Sequence, residues 1–434
     1  MQITDEVFRA FLNCETKSNL ITLGDRGSQN EFFEWGRIRM DDFKQRCLLK
    51  LCSAITEDEC LIGGSSYHSF EHSRYRLFVD CVLQTQGLQS RIHALERITT
   101  PIDKKQNPFT PIRFFPNNKI TKQDKLLLAF DALILATVSG MVPHVGKIMH
   151  GKNHRVIRIE LASLLENTKT VVDKITTQQK NPTPPQLILN KHCTECEFQP
   201  QCRQIAMEKD DLSLLSGMTE RERKRQHNKG IFSVTQLSYT FRARRRPKRL
   251  TTKPKKSLAL KALAIREHKI YITGNPKLNL LGNPVFLDVE GIPDQNFYYL
   301  IGLRAKRNAS YIQHSFWANE ELDEKEIWES LLKVLAKIDN PQLVHYGRYE
   351  KTYLRRMINR YPEVVDDASF LDQIINQSIN LLSTIYAHIY FPTYSNGLKE
   401  IAQYLGFHWS NSAASGLNAL IWRSKSGNIQ KILL

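Results

Sequence analysis

Asp288 and Glu290 stand two positions apart in the run VFLDVEG, at the end of a short β-branched and aromatic stretch. Residues two apart on an extended strand share a face, so both carboxylates can converge on one hard cation such as Mg²⁺ or Mn²⁺. An ion held this way can activate water against a phosphodiester. The same spacing also fits an ordinary solvated strand end, so the pair needs its context.

A second group is built from sulfur. Cys193, Cys196 and Cys202 follow C-x2-C-x5-C, which brings three soft thiolates close enough to hold one metal centre. The fourth ligand is not local. Cys14 in FLNCETK is the best candidate, because Cys47, Cys52, Cys60 and Cys81 lie within apolar stretches that read as core. Zinc suits any four-cysteine set as well.

The elements that must position these groups divide the chain by texture. Its 434 residues allow two or three cores. Residues 1–205 mix short apolar runs with a long helical candidate, Asp124–Ser139, and a Pro-rich extended connector, NPTPPQLILN, ahead of the cysteines. Residues 206–241 read as two short helices about a turn at Lys229-Gly230. Residues 242–256, RARRRPKRLTTKPKK, form a basic linker whose Arg244, Arg245, Arg246, Lys248 and Arg249 suit phosphate contact or plain solvation. Residues 257–434 alternate short strands (Val285–Val289, Phe297–Leu303, Gln342–Tyr346) with helical patterns, an α/β signature.

Lys and Arg outnumber Asp and Glu by 61 to 44, a net charge of +17 that favours polyanionic partners through counterion release. No apolar run is long enough to span a bilayer, and the N-terminus lacks the basic and apolar regions of a signal peptide. A cytoplasmic address is expected, where eight cysteines do not make a disulfide framework. No solenoid repeat and no Walker A loop is present, so ATP-driven motion is not expected.

A lone N-terminal cysteine paired across a domain with C-x2-C-x5-C resembles the iron–sulfur-stapled members of the RecB-like PD-(D/E)XK nucleases, such as AddB-type and CRISPR-associated exonucleases. The resemblance implies a restriction-endonuclease-type α/β domain and a [4Fe–4S] cluster on Cys14, Cys193, Cys196 and Cys202. Catalysis in that family needs an Asp, then an acid and a Lys on neighbouring strand positions. This sequence departs from the pattern. Asp80 and Glu96 are the candidate acids, neither followed by E-x-K; FTPIRFF supplies only Arg113, and His93 stands where the first acid is expected. Binding is therefore the expected role of this domain. The Ser216–Leu237 region, with Lys229 and Gly230 at its turn, resembles helix–hairpin–helix segments that offer backbone N–H groups to phosphate.

VFLDVEGIPDQNFYYLIGL, VHYGRYEKTYLRRM and TYSNGLKEIAQYLGFHW together resemble the RNase H-like DEDD exonucleases, in particular the YprB-type domain. That resemblance assigns Asp288 and Glu290 to the first metal-binding motif. It assigns Tyr349-Glu350 to the aromatic–acid pair of the second, with Glu350 replacing the usual Asp. The fourth carboxylate is expected beyond SGLNALIWRSKSGNIQKILL, so the domain reads as incomplete at its C-terminus; Asp372 reads as a helix-surface residue. Longer relatives carry a helicase, which implies a separate helicase as partner.

The reading that follows is a metal-dependent nuclease of nucleic-acid processing or repair, 3′–5′ exonuclease-like, acting on DNA or RNA, preferentially single-stranded. Two alternatives stand beside it: a catalytically inactive nucleic-acid-binding remnant of a larger nuclease–helicase, and a purely redox or structural iron–sulfur protein.

Overall fold

The computed structural model describes residues 2–28, 31–53, 55–64, 74–98, 109–242, 257–292, 295–307, 310–411, 416, 418–419 and 421–423. Arg244, Arg245, Arg246, Lys248 and Arg249 lie outside the described residues. The chain divides into two compact units, Met1–Gln204 and Ile205–Leu434.

The first unit is a seven-stranded mixed sheet. Its strands are β1 (Ile3–Thr4), β2 (Cys60–Ile62), β3 (Leu77–Gln84), β4 (Leu88–Arg97), β5 (Phe109–Phe115), β6 (Val145–His150) and β7 (Arg155–Glu160), ordered β2-β3-β4-β5-β6-β7. β3, β4 and β5 form an antiparallel meander, and β6 returns parallel to β5. β5 reaches only Ala94–Arg97 of β4, which leaves Leu88 and Gln89 to pair with β1. Around this sheet lie α1 (Asp5–Asn13), α2 (Glu15–Thr22), α3 (Glu31–Cys52), α4 (Lys122–Ser139), α5 (Ala162–Lys180) and α6 (Gln199–Glu208), the last running across the division between units.

α4 explains the core. Leu126, Leu127, Leu128, Ala129, Phe130, Ala132, Ile134 and Leu135 are buried around nearly its whole circumference, as expected of a helix covered on all sides. Thr121 and Asp124 close a capping box at its solvent-facing start, which satisfies donors the first turn would otherwise leave without a protein partner. Phe8 of α1 stacks on Phe130 with ring centres 4.4 Å apart.

The second unit opens with α7 (Glu220–His227), α8 (Val234–Ser238) and α9 (Leu258–Glu267), of which α8 and α9 contribute to a cluster of Leu212, Leu215, Val234, Leu237 and Ala262. β8 (Tyr271–Ile272) pairs far along the chain with Ile389–Tyr390. A five-stranded sheet follows, made of β9 (Asn283–Ile292), β10 (Phe297–Arg307), β11 (Ser310–Trp317), β12 (Pro341–His345) and β13 (Ile379–Asn380), in the order β11-β10-β9-β12-β13. The first three strands form an antiparallel meander; β12 is parallel to β9 and β13 parallel to β12. Helices α10 (Glu324–Leu335), α11 (Tyr349–Arg360) and α12 (Ala368–Asn376) connect them. Val285, Leu287 and Val289 of β9 point into a core with Trp328, Leu331, Tyr353, Leu354 and Met357, so the intervening Asp288 and Glu290 must face the other way.

Candidate functional site

Strict alternation along β9 sets up the site: Val285, Leu287 and Val289 face inward, while Phe286, Asp288 and Glu290 share the opposite face. Glu350 reaches the same region from the first turn of α11, just beyond the carboxyl end of β12, which runs parallel beside β9. Its side chain is almost fully buried, and its Oε2 has no hydrogen-bond partner. His345 Nδ1 lies 3.6 Å from that oxygen, beyond hydrogen-bonding range, and instead donates to the carbonyl of Gly347 at 2.9 Å.

The three acids feel one another. Burial, then repulsion from Asp288 and Glu350, pushes the Glu290 carboxyl up to about 7. Asp288 keeps a face to solvent, yet the surrounding protein and then Glu350 raise it too. Gathering carboxylates without a compensating cation is unfavourable, and a hard divalent ion is the group that would relieve it. Among the described residues, no three His, Cys, Asp or Glu side chains already stand close enough together to hold a metal ion.

Sequence reasoning missed Tyr299. Its buried hydroxyl has no hydrogen-bond partner, and burial followed by Glu290 raises it to about 12. The Arg423 guanidinium lies 4.7 Å from its ring centre and donates to the carbonyls of Ala318 and Asn319, both at 2.6 Å. In FYYLIGL the residue reads only as strand apolar; it sits at an irregularity of the β9–β10 ladder, unpaired next to Leu300, the partner of Glu290. Asp372 is exposed on α12, as a helix-surface residue.

In the first unit the candidate acids are committed to cations. Asp80 accepts from Arg91 Nε at 2.8 Å and from Lys44 at 2.5 Å, and Glu96 pairs with Lys147. Arg113 is 2% exposed and donates to Asp131, Asp5 and Ser90. Burial opposes its charge, but Asp131 and Asp5 outweigh burial and raise its pKa further. Burial raises the Asp131 pKa overall, although Arg113 and Ser90 pull it down; the Arg113 guanidinium, which stays protonated, donates to both Asp131 oxygens at 2.5 and 2.6 Å. His93 accepts from the Phe114 N–H at 3.0 Å, and burial followed by Arg113 holds its pKa well below the usual value.

The four cysteines line one cavity of about 470 Å³. Cys14 joins α1 to α2, accepting from the Lys17 N–H at 3.5 Å. Cys193 and Cys196 lie on and just after the turn Lys191–Glu195, and Cys202 lies on α6. Burial raises Cys193 and Cys196, and burial followed by Cys14, Cys196 and Cys193 raises Cys202 to about 11. They are thus mutual neighbours, although not drawn into a ligand set as they stand.

Gly230 has φ +74°, a left-handed conformation that suits glycine. The N–H groups of Lys229, Gly230 and Ile231 donate to Gln226, His227 and Gln226 carbonyls at 2.9, 2.8 and 3.0 Å. The turn therefore does not present those donors outward, and the Lys229 side chain is exposed.

Residues 285–425 match the RNase H superfamily model, so this part of the chain is an RNase H-like domain. The match includes Asp288, Glu290, Glu350, Tyr299 and Arg423. No curated protein matches the chain. Among the described residues, no helix is long and apolar enough to cross a membrane.

Proposed function

We propose that the chain is a divalent-metal-dependent nuclease whose RNase H-like domain hydrolyses DNA or RNA phosphodiesters, acting as a 3′–5′ exonuclease on single strands. One observation carries this reading: Asp288 and Glu290 from one strand face and Glu350 from a helix start form a mutually repelling acid cluster containing an orphaned buried oxygen. These hard oxygen donors suit Mg²⁺ or Mn²⁺. When bound, such an ion would supply an acidified water and shield the phosphodiester's charge. Asp288 and Glu290 would hold such an ion from the sheet and Glu350 would hold it from the helix, with the buried Tyr299 hydroxyl next to them. His345 is held by the Gly347 carbonyl, which fixes its ring beside Glu350.

In the same reading, the first unit is a RecB-like domain that grips nucleic acid without cutting it. The Arg113–Asp131 clamp fills the sheet–α4 interface with fixed charge pairs, and Asp80 and Glu96 are already neutralised by cations. Cys14, Cys193, Cys196 and Cys202 would hold a [4Fe–4S] cluster, since four soft donors line one cavity. Lys229 and the basic run from Arg244 to Arg249 would add phosphate contacts.

A binding remnant without catalysis is favoured by one observation, the lack of a preassembled metal group among the described residues. Calorimetric Mn²⁺ titration separates the two readings. The nuclease reading expects binding that weakens at least about tenfold in Glu350→Gln, together with hydrolysis abolished by chelation. Hydrolysis persisting in a chelator would overturn it.

A further inference from the structure

α11 carries opposite chemistry on its two sides. Glu350, Tyr353, Leu354 and Met357 are buried, while Arg348, Lys351 and Arg355 follow one another at i, i+3 and i+7 on another face. These three line a cavity of about 330 Å³ with His345, Ser378 and Asn380, and among the described residues no acid lines it. The cavity lies at the carboxyl ends of the parallel strands β12 and β13, beside the start of α11.

A solvated charged face does not account for the pattern. Two other arginines of the same helix are engaged internally: Arg356 donates to the Tyr298 hydroxyl at 2.9 Å, and Arg360 donates to Glu324 and to the Asn296 carbonyl. Among the described residues, no acid pairs with Arg348, Lys351 or Arg355. The floor is also built. His345 is 4% exposed, its Nε2 lies 3.3 Å from Ser378 Oγ, and Asn380 Oδ1 accepts from the Gly347 N–H at 3.1 Å. Gly347, at φ +123°, makes the turn that brings Arg348 over this floor.

We propose that this cavity is a phosphate subsite that seats the nucleic-acid backbone next to the Asp288, Glu290 and Glu350 cluster. The two sites share a wall, because His345 lines the cavity and stands 3.6 Å from Glu350. A polyanion is repelled by three carboxylates, so a strand that is to reach them needs cations at its neighbouring phosphates. Arg348 and Arg355 supply forked donors, and Lys351 supplies a point charge between them. The proposal rests on the nuclease reading, but its test does not require turnover.

The test measures binding of short fluorescent single-stranded DNA and RNA by the full chain in EDTA across a salt series. Arg348→Gln/Lys351→Gln/Arg355→Gln should reduce the slope of log affinity against log salt by about 2, three contacts at roughly 0.7 each. Affinity should fall on the order of tenfold at about 0.1 M salt. Arg348→Lys/Arg355→Lys should keep most of the slope. Asp288→Asn separates the two proposals: it should abolish hydrolysis while leaving the EDTA salt slope unchanged. An unaltered slope and affinity in the triple variant would overturn the subsite. So would binding of inorganic phosphate that depends on these residues while the oligonucleotide slope does not, since that marks a free-phosphate site.

Discussion

Arg113→Met removes the guanidinium from the most enclosed charge network of the first unit. Asp131 is 0% exposed and Arg113 2%, so the substitution leaves a buried carboxylate with Ser90 Oγ, 2.6 Å away, as its remaining partner. Removing one member of a buried pair costs about 3–5 kcal/mol, a large share of a domain's stability. The readout is site-resolved hydrogen exchange of α4 amides at neutral pH, which follows this unit separately from the rest. Protection should fall by about 10² to 10⁴. The penalty depends on pH with a definite sign. Burial already raises the folded-state pKa of Asp131, and losing Arg113 removes the largest opposing influence, so the folded state takes up protons more readily than the unfolded chain. The variant's loss should therefore be smallest near pH 4 and grow as pH rises. Arg113→Met/Asp131→Leu should recover most of the stability, because both charges are then gone. A single-variant loss under about 1 kcal/mol, or no recovery in the double variant, would refute the network's assigned role.

Two further outcomes are expected. Asp80 is held down to about 2 by its bond to Arg91, against burial and with help from Lys44. Its folded pKa is depressed, so it stabilises above the unfolded value near 3.9 and loses that contribution as pH falls toward 2. Asp80→Asn should cost about 1 kcal/mol at neutral pH after solvent screening, and should flatten the acid limb of the unfolding profile. Anaerobically purified protein should be brown and carry iron and sulfide, with both lost in Cys193→Ser; colourless protein with stoichiometric zinc would replace the cluster by a zinc site.

The legible parts were local. Alternation in VFLDVEG places Asp288 and Glu290 on one strand face without tertiary information, and Val285–Val289, Phe297–Leu303 and Gln342–Tyr346 fall within or against β9, β10 and β12. Asp124–Ser139 falls within α4 because its apolar density and Thr121 cap are sequence-local. What stayed hidden depends on long-range contacts. Arg113 reads as a defective catalytic position until Asp5 arrives from 108 residues away. Tyr299 looks like any strand aromatic until a ladder irregularity leaves it unpaired next to the partner of Glu290. Arg348, Lys351 and Arg355 look like solvated helix charges until Ser378 and Asn380, at and just before β13, close the cavity. Gly230 signals its turn, but not that the turn's N–H groups are used by its own carbonyls.

The central claim is that hydrolysis belongs to the RNase H-like domain. A Mn²⁺-supported assay on end-labelled single-stranded DNA and RNA, comparing wild type with Asp288→Asn, Glu290→Gln and Asp80→Ala, tests it most directly. The account predicts turnover in wild type and Asp80→Ala, with losses of at least about 10² in Asp288→Asn and Glu290→Gln. Turnover that survives both of those substitutions but disappears in Asp80→Ala would contradict it, and so would binding without turnover in every form of the chain.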